Sequence, residues 1–226
     1  MFKQKILLIG LLIAALTLFL TGCSSKPEIN AKDTMNIYVN AVKTGDTTEL
    51  AKVGMNEDEI TAFQKNSMLS KQAQDIMETQ FKSMGITLSA EDSDKIIAVV
   101  SKMRQSADIT IEPVNETEDK ATFKVSVKGI DRNRFTQAFT DKITAFAQSP
   151  DNGLRPYMRQ SEVAKIIVPQ IITILDELSQ NVPLVQQPMT FEVNLKLNKD
   201  KNVWEPEDNT KFVTDIEKAI FYNYVQ

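Results

Sequence analysis

One sulfur and a set of carboxylates hold the reactive chemistry of this chain. Cys23 is its only cysteine and follows Leu20, Thr21 and Gly22. A thiolate is the nucleophile that forms a thioether, and Thr21 and Gly22 are small enough to pass through a narrow protease groove. The chain has no histidine. That removes Ser-His-Asp and Cys-His catalysis and every His-ligated zinc or iron site. A lone cysteine can form no disulfide within the chain and no multi-thiolate metal site. Carboxylates, lysine, serine with lysine, and tyrosine are left. Glu205, Glu207 and Asp208 follow Trp204, and Glu91, Asp92 and Asp94 open a helical pattern. Either group could hold a cation or act as an acid/base pair. Acidic residues in a first helical turn are equally explained by the helix dipole. Asn198, Asp200 and Asn202 have the 1-3-5 spacing of a calcium loop. Val203 stands where that loop needs glycine, however, and Asn209 where it needs a bidentate glutamate. A hairpin turn accounts for these residues. No catalytic residue, cofactor or metal set is expected.

These groups follow a leader. Lys3 and Lys5 precede Ile6 to Leu20, a run that is apolar apart from Gly10 and Thr17. At about 1.5 Å per helical residue it covers roughly 22 Å, short of the roughly 30 Å core of a bilayer. It has the length of an export-signal h-region. The stretch Leu20-Thr21-Gly22-Cys23 resembles the lipobox of bacterial lipoproteins. The resemblance implies recognition of Leu20, Thr21 and Gly22 by a dedicated signal peptidase. It also implies cleavage before Cys23 and a diacylglycerol on the Cys23 sulfur, with palmitate-type acyl chains. Two acyl chains anchor stably where one does not. The expected organisation is a signal peptide at 1–22, a lipidated cysteine and polar tether at 23–30, and one α+β domain at 31–226. The expected location is the outer face of the cell membrane, with no transmembrane helix. The discarded Ala15 to Gly22 also resembles apolar peptide pheromones cut from such leaders. Asn115-Glu116-Thr117 matches a glycosylation acceptor, which a bacterial lipoprotein does not use.

The chain carries 26 basic against 30 acidic residues, and two of the lysines lie in the leader. No basic run interleaved with aromatics appears, which argues against nucleic acid as a partner. Apolar spacing predicts helices over Ala31 to Thr44, Thr48 to Val53, Asn56 to Asn66, Ser70 to Met84 and from Ser89 past Met103. Met68, Met77, Met84 and Met103 read as core filling. Ile109 and Ile111, and then Ala121, Phe123, Val125 and Val127, alternate with polar residues and predict a hairpin. Phe135, Phe139, Ile143 and Phe146 share one helical face. Val163 to Leu178 reads as a buried helix bent or split at Pro169. Phe191 to Leu197 is a third strand, Val203-Trp204 a short fourth, and Phe212 to Ile220 a last helix. The expected fold is α+β: a curved antiparallel sheet of about four strands packed with helices, with large helical insertions.

The opening helix ending at Gly45-Asp46, with Glu49-Leu50 after it, and the late strand, turn and Trp204 resemble the nuclear-transport-factor-two-like (cystatin-like) fold. More narrowly they resemble uncharacterised small lipoproteins of Gram-positive bacteria that carry such a domain. The insertions at about 56–105 and 131–180 exceed what a minimal domain of this kind has. The function expected is a membrane-anchored binding or interaction module for a small ligand, peptide or envelope protein. The alternatives are a carboxylate-based envelope enzyme or a pheromone precursor.

Replacing the Cys23 sulfur tests the tether directly. The Cys23→Ser protein is expected to incorporate no labelled fatty acid and to keep its leader, visible as a heavier intact mass.

Overall fold

Asn30 opens the first helix, α1 (Ala31–Thr44): its side-chain oxygen accepts the Asp33 N–H at 2.8 Å. Gly45 closes it at φ 78°, donating its N–H to the Ala41 carbonyl. A 3-10 helix (Thr48–Val53) follows. Asn56 and Glu59 then cap α2 (Glu57–Lys65) reciprocally, each backbone N–H bonded to the other's side chain at 2.8 and 2.9 Å. After α3 (Lys71–Ser83), Ser89 and Asp92 form the expected capping box on α4 (Ala90–Gln105). This is a computed structural model, and the structure describes residues 26–65, 71–83 and 85–221. Leu20, Thr21, Gly22 and Cys23, the leader peptide, Met68 and Met84 lie outside the described residues.

The period then changes from helical to alternating. Strands β1 (Asp108–Glu116) and β2 (Lys120–Lys128) form a hairpin. After two helices come β3 (Met189–Asn198) and β4 (Val203–Pro206). All neighbours are antiparallel in the order β1-β2-β3-β4, an open four-stranded sheet. Side chains alternate across a strand, so the sheet has two unlike faces. Phe123, Val125, Val127, Leu195 and Trp204 are buried on one face under α1 and the last helix, α7 (Asn209–Phe221). Tyr38 of α1 lies edge-on to Phe212 at 5.9 Å, and burial pushes its phenol well above the usual tyrosine range. The other face is polar and open. There Thr122 bonds Asn194 at 2.9 Å and Ser126 bonds Thr190 at 3.1 Å.

The inserted helices are α5 (Arg132–Gln148) and α6 (Gln160–Ser179). With α3 and α4 they pack chiefly on one another, forming a helical lobe beside the sheet. Its small core is Val99, Met103 and Ile130, with Phe135, Leu175 and Val182 against it. The lobe corrects two expectations. Helix α6 runs unsplit through Pro169, packed against α4 and α5. It is also not a buried helix: only Val168, Ile174, Leu178 and Ser179 are buried, and Ile166, Ile167, Ile171 and Ile172 are half-buried. Two packed neighbours do not enclose a helix that is apolar on more than one side. The stripe Phe135, Phe139, Ile143 and Phe146 on α5 is half-buried for the same reason.

Lobe and sheet meet at one corner. Gly129 ends β2 against the last turn of α7, where a Cβ would lie 2.0 Å from the Ala219 carbonyl oxygen. The next residue, Ile130, donates its N–H to the Ile220 carbonyl at 2.7 Å. Beside this crossing, Arg104 of α4 pairs with Glu217 of α7 at 3.0 Å, with side chains 1% and 6% exposed. Arg104 also donates its Nε–H to the Lys43 carbonyl of α1 at 3.2 Å. Burial draws the Arg104 guanidinium down from its usual range while Glu217 opposes the shift, and arginine stays protonated.

Removing one partner strands a buried charge, which costs about 3–5 kcal/mol, whereas exchanging both for apolar residues of similar volume is close to neutral. Urea unfolding should therefore show Arg104→Met and Glu217→Leu each strongly destabilised, with the double variant recovering most of the loss.

Candidate functional site

Two features stand out, one where the tether meets the fold and one in the lobe. Lys26 lies beside the β3–β4 turn, where Asn202, in the left-handed region at φ 53°, donates its side-chain amide to the Lys26 carbonyl at 3.4 Å. Lys201 reaches the Gly54 carbonyl at 3.3 Å and both Glu59 carboxylate oxygens at 2.7 and 2.9 Å. A hollow of about 150 Å³ lies here, lined by Glu28, Ile29, Val53, Val203 and Trp204 among others. The calcium-like spacing is a turn. The Asn198 side-chain oxygen accepts the N–H groups of Asp200 and Lys201, both at 3.2 Å, and its amide donates to Glu205.

The acidic clusters do not converge. Glu205 pairs with Lys196 and Glu207 with Lys120. Asp208 caps α7 by accepting the Lys211 N–H at 2.9 Å. Glu91 pairs with Lys95 at 2.6 Å, and Asp92 belongs to the capping box. Among the described residues, no three Asp, Glu, His or Cys side chains gather as a metal site would require. Among the described residues the buried carboxylate is Glu217, which faces Arg104.

The larger feature is a cleft of about 720 Å³ in the lobe. Its first wall is the turn between α3 and α4. Gly85 adopts φ +75° there, and a Cβ on it would lie 1.7 Å from the Gln160 side-chain nitrogen. Glycine thus lets the start of α6 approach the turn. Thr87, Ser89 and Ser161 bring hydroxyls, Ala164, Val168 and Pro169 bring apolar surface, and Arg159 and Lys165 bring positive charge. Arg159 holds Glu162 through a 3.1 Å side-chain contact and a 2.8 Å backbone N–H bond. Those two bonds keep the Glu162 carboxyl below the usual carboxylate range. The cleft has the size of a small-ligand site and groups suited to hold an anionic or hydroxylated molecule. Asp92 adds a carboxylate to the lining, and the Ser89 hydroxyl donates to it at 2.6 Å within the capping box. The stop at Gly85 and the cap at Ser89 are legible locally. Their meeting with α6, some 70 residues on, has no local signal.

No protein-family model matches the chain, and no curated protein matches it. Among solved structures it is similar to the crystal structure of a candidate lipoprotein, YcdA, of Bacillus subtilis, with a TM-score of 0.55 and 18% sequence identity. The match covers 83% of this chain and 55% of that one, so this chain spans little more than half the length of that protein. At this identity the likeness is one of fold: an open antiparallel sheet packed with helices.

The Lys201 bridge gives the tether end a pH dependence. Its hydrogen bonds, and then the Asn56 N–H, hold the Glu59 carboxyl below the usual range. A lowered folded-state pKa stabilises above the free carboxylate value of about 4.3 and loses that contribution as pH falls through the folded value. Glu59→Gln should lower the urea midpoint at pH 7 by a small margin, under about 1 kcal/mol for so exposed a pair. The difference should hold above the free carboxylate value of about 4.3 and shrink as the pH falls below it.

Proposed function

We propose that the protein is a membrane-anchored extracytoplasmic lipoprotein that acts as a binding or interaction module, presenting its helical lobe away from the bilayer. The observation carrying this reading is a separation of ends. The tether meets the fold at the β3–β4 turn, beside Asn202. The lobe joins at the other end of the strands, where Asp108 opposes Lys128 and Val127 opposes Met189. There Asp131 donates its N–H to the Pro183 carbonyl at 2.7 Å and Val185 donates to Gly129 at 3.0 Å. At roughly 3.3 Å per residue the strands separate those ends by roughly 25 Å. With Lys26 held at that turn, only Ser24 and Ser25 separate it from Cys23, a reach of at most roughly 10 Å.

The leader pattern through Cys23 and the likeness to a candidate lipoprotein support the anchor. Among the described residues no helix is long and apolar enough to cross a membrane. A helix packed on an antiparallel sheet supports the nuclear-transport-factor-two-like reading of the sheet half. In this chain α1 and α7 fill the covered face of that sheet, and the cleft lies in the insertion instead. Binding rather than catalysis is supported by carboxylates held singly by lysines, caps and Arg104. Arg159 and Lys165 favour an anionic group on the ligand.

The test is capture from detergent-solubilised envelope with the full chain, alongside a thermal-shift screen of anionic and hydroxylated metabolites. Ala164→Trp, which fills the cleft, should fold with the same circular dichroism and lose the captured or stabilising component. Equal capture and equal shifts by both proteins would overturn the assignment of the cleft.

A further inference from the structure

The strand at one edge of the sheet is open. Among the described residues, β1 has β2 on one side and no strand on the other. No backbone hydrogen bond runs from Asp108–Glu112 to any described residue outside that pair. Such an edge presents a row of donors and acceptors ready for another strand.

The rows that cross the sheet say what that strand should carry. On the open face Glu112 of β1 opposes Lys124 of β2, which opposes Glu192 of β3. The signs alternate, and the row ends at the edge on a carboxylate. Lys124 reaches Glu112 from the inner side at 3.4 Å, leaving the outer side of Glu112 to solvent. Four residues away Asp108 opposes Lys128 and again ends its row in negative charge. Between them Thr110, Ser126 and Thr190 form a row of hydroxyls. On the covered face Ile109 and Ile111 are half-buried and pack at the margin of the core. Beyond Glu112, Pro113 lacks an N–H and the register shifts between Pro113 and Asn115. The usable edge is thus Asp108–Glu112.

We infer that β1 accepts an extended segment of a partner protein that adds as a fifth strand over Asp108–Glu112. The segment carries Lys or Arg opposite Asp108 and Glu112, and β-branched apolar residues opposite Ile109 and Ile111. It continues the alternation of charge and covers the open margin of the core. A second copy of this chain is disfavoured in the registers that set its acidic residues against one another, while the registers centred on Ile109 and Ile111 oppose no like charges and are tested by the oligomeric state. Antiparallel pairing of β1 with its twin centred on Thr110 sets Asp108 against Glu112, and centred on Glu112 sets Glu112 against itself. Like charges directly opposite are destabilising. This extends the interaction role proposed above to a different surface, so an empty cleft leaves it standing.

The probe is a blocked, dye-labelled peptide, Lys-Val-Thr-Val-Lys flanked by glycines, and its acidic counterpart Glu-Val-Thr-Val-Glu. Fluorescence anisotropy with the full chain in mild detergent should show the basic peptide binding at least tenfold more tightly at low salt. That preference should shrink as salt rises. The exposed double variant Asp108→Asn with Glu112→Gln, which sets no lysine against Lys124 or Lys128, should keep the wild-type circular dichroism and lose the preference. Amide hydrogen exchange should slow within residues 108–112 on adding the basic peptide. Equal affinity for the two peptides, an unchanged preference in the double variant, or protection confined to the α6 cleft would overturn the proposal. So would a wild-type dimer whose protected amides are those of β1.

Discussion

Two charges withdrawn from water, Arg104 and Glu217, hold the corner on which the two halves of the molecule turn. They are far apart in sequence, on α4 and α7, and the Lys43 carbonyl of α1 completes the arginine's surroundings. The core over the sheet is built by α1 and α7, and the lobe by α4 with α5 and α6. One guanidinium therefore touches the end of each structure. A buried ion pair contributes little net stability over an apolar substitute, but it tolerates few other arrangements of its neighbours. Apolar contact alone would let α4 slide or rotate against α7. A charged fork that must face a carboxylate and a carbonyl at once defines where α4 ends and where β1 begins. Gly129 works at the same corner, since only a residue without Cβ lets β2 pass the α7 carbonyls so closely.

From that corner the chain divides its labour. The sheet half is a conventional covered core, with Tyr38, Phe123, Trp204 and Ile216 packed between strands and helices. The lobe is looser: α5 has no buried residue and α6 few. Half-buried apolar surface thus gathers in the lobe, at the end of the strands away from Lys26. The cleft beside Gly85 and the acidic edge of β1 are surfaces the covered core leaves free.

Much of this was legible beforehand. The capping boxes at Asn56 and Ser89, the stop at Gly45 and the alternation from Ala121 to Val127 are signals that neighbouring residues create and read. The structure places elements where those signals lie. The reading of Val163 to Leu178 as a buried helix was incomplete. Apolar residues on more than one side indicate a helix that prefers cover, not one that finds it. Pro169 removes one backbone donor but does not split α6, which packs against α4 and α5. Of the candidate chemistry, the acidic clusters and the calcium-like spacing resolve into lysine pairs, caps and an Asx turn.

By itself the sequence determined the local: where helices begin and stop, which strand faces are apolar, and the lack of histidine chemistry. Each depends on residues within a few positions of one another, or on composition, and so is written along the chain. Only the tertiary structure decided that Arg104 meets Glu217, that the start of α6 lies across the turn at Gly85, and that β1 is left at the edge. Those are meetings between segments tens of residues or more apart, set by how whole surfaces fit. Nothing in either local stretch records its distant partner.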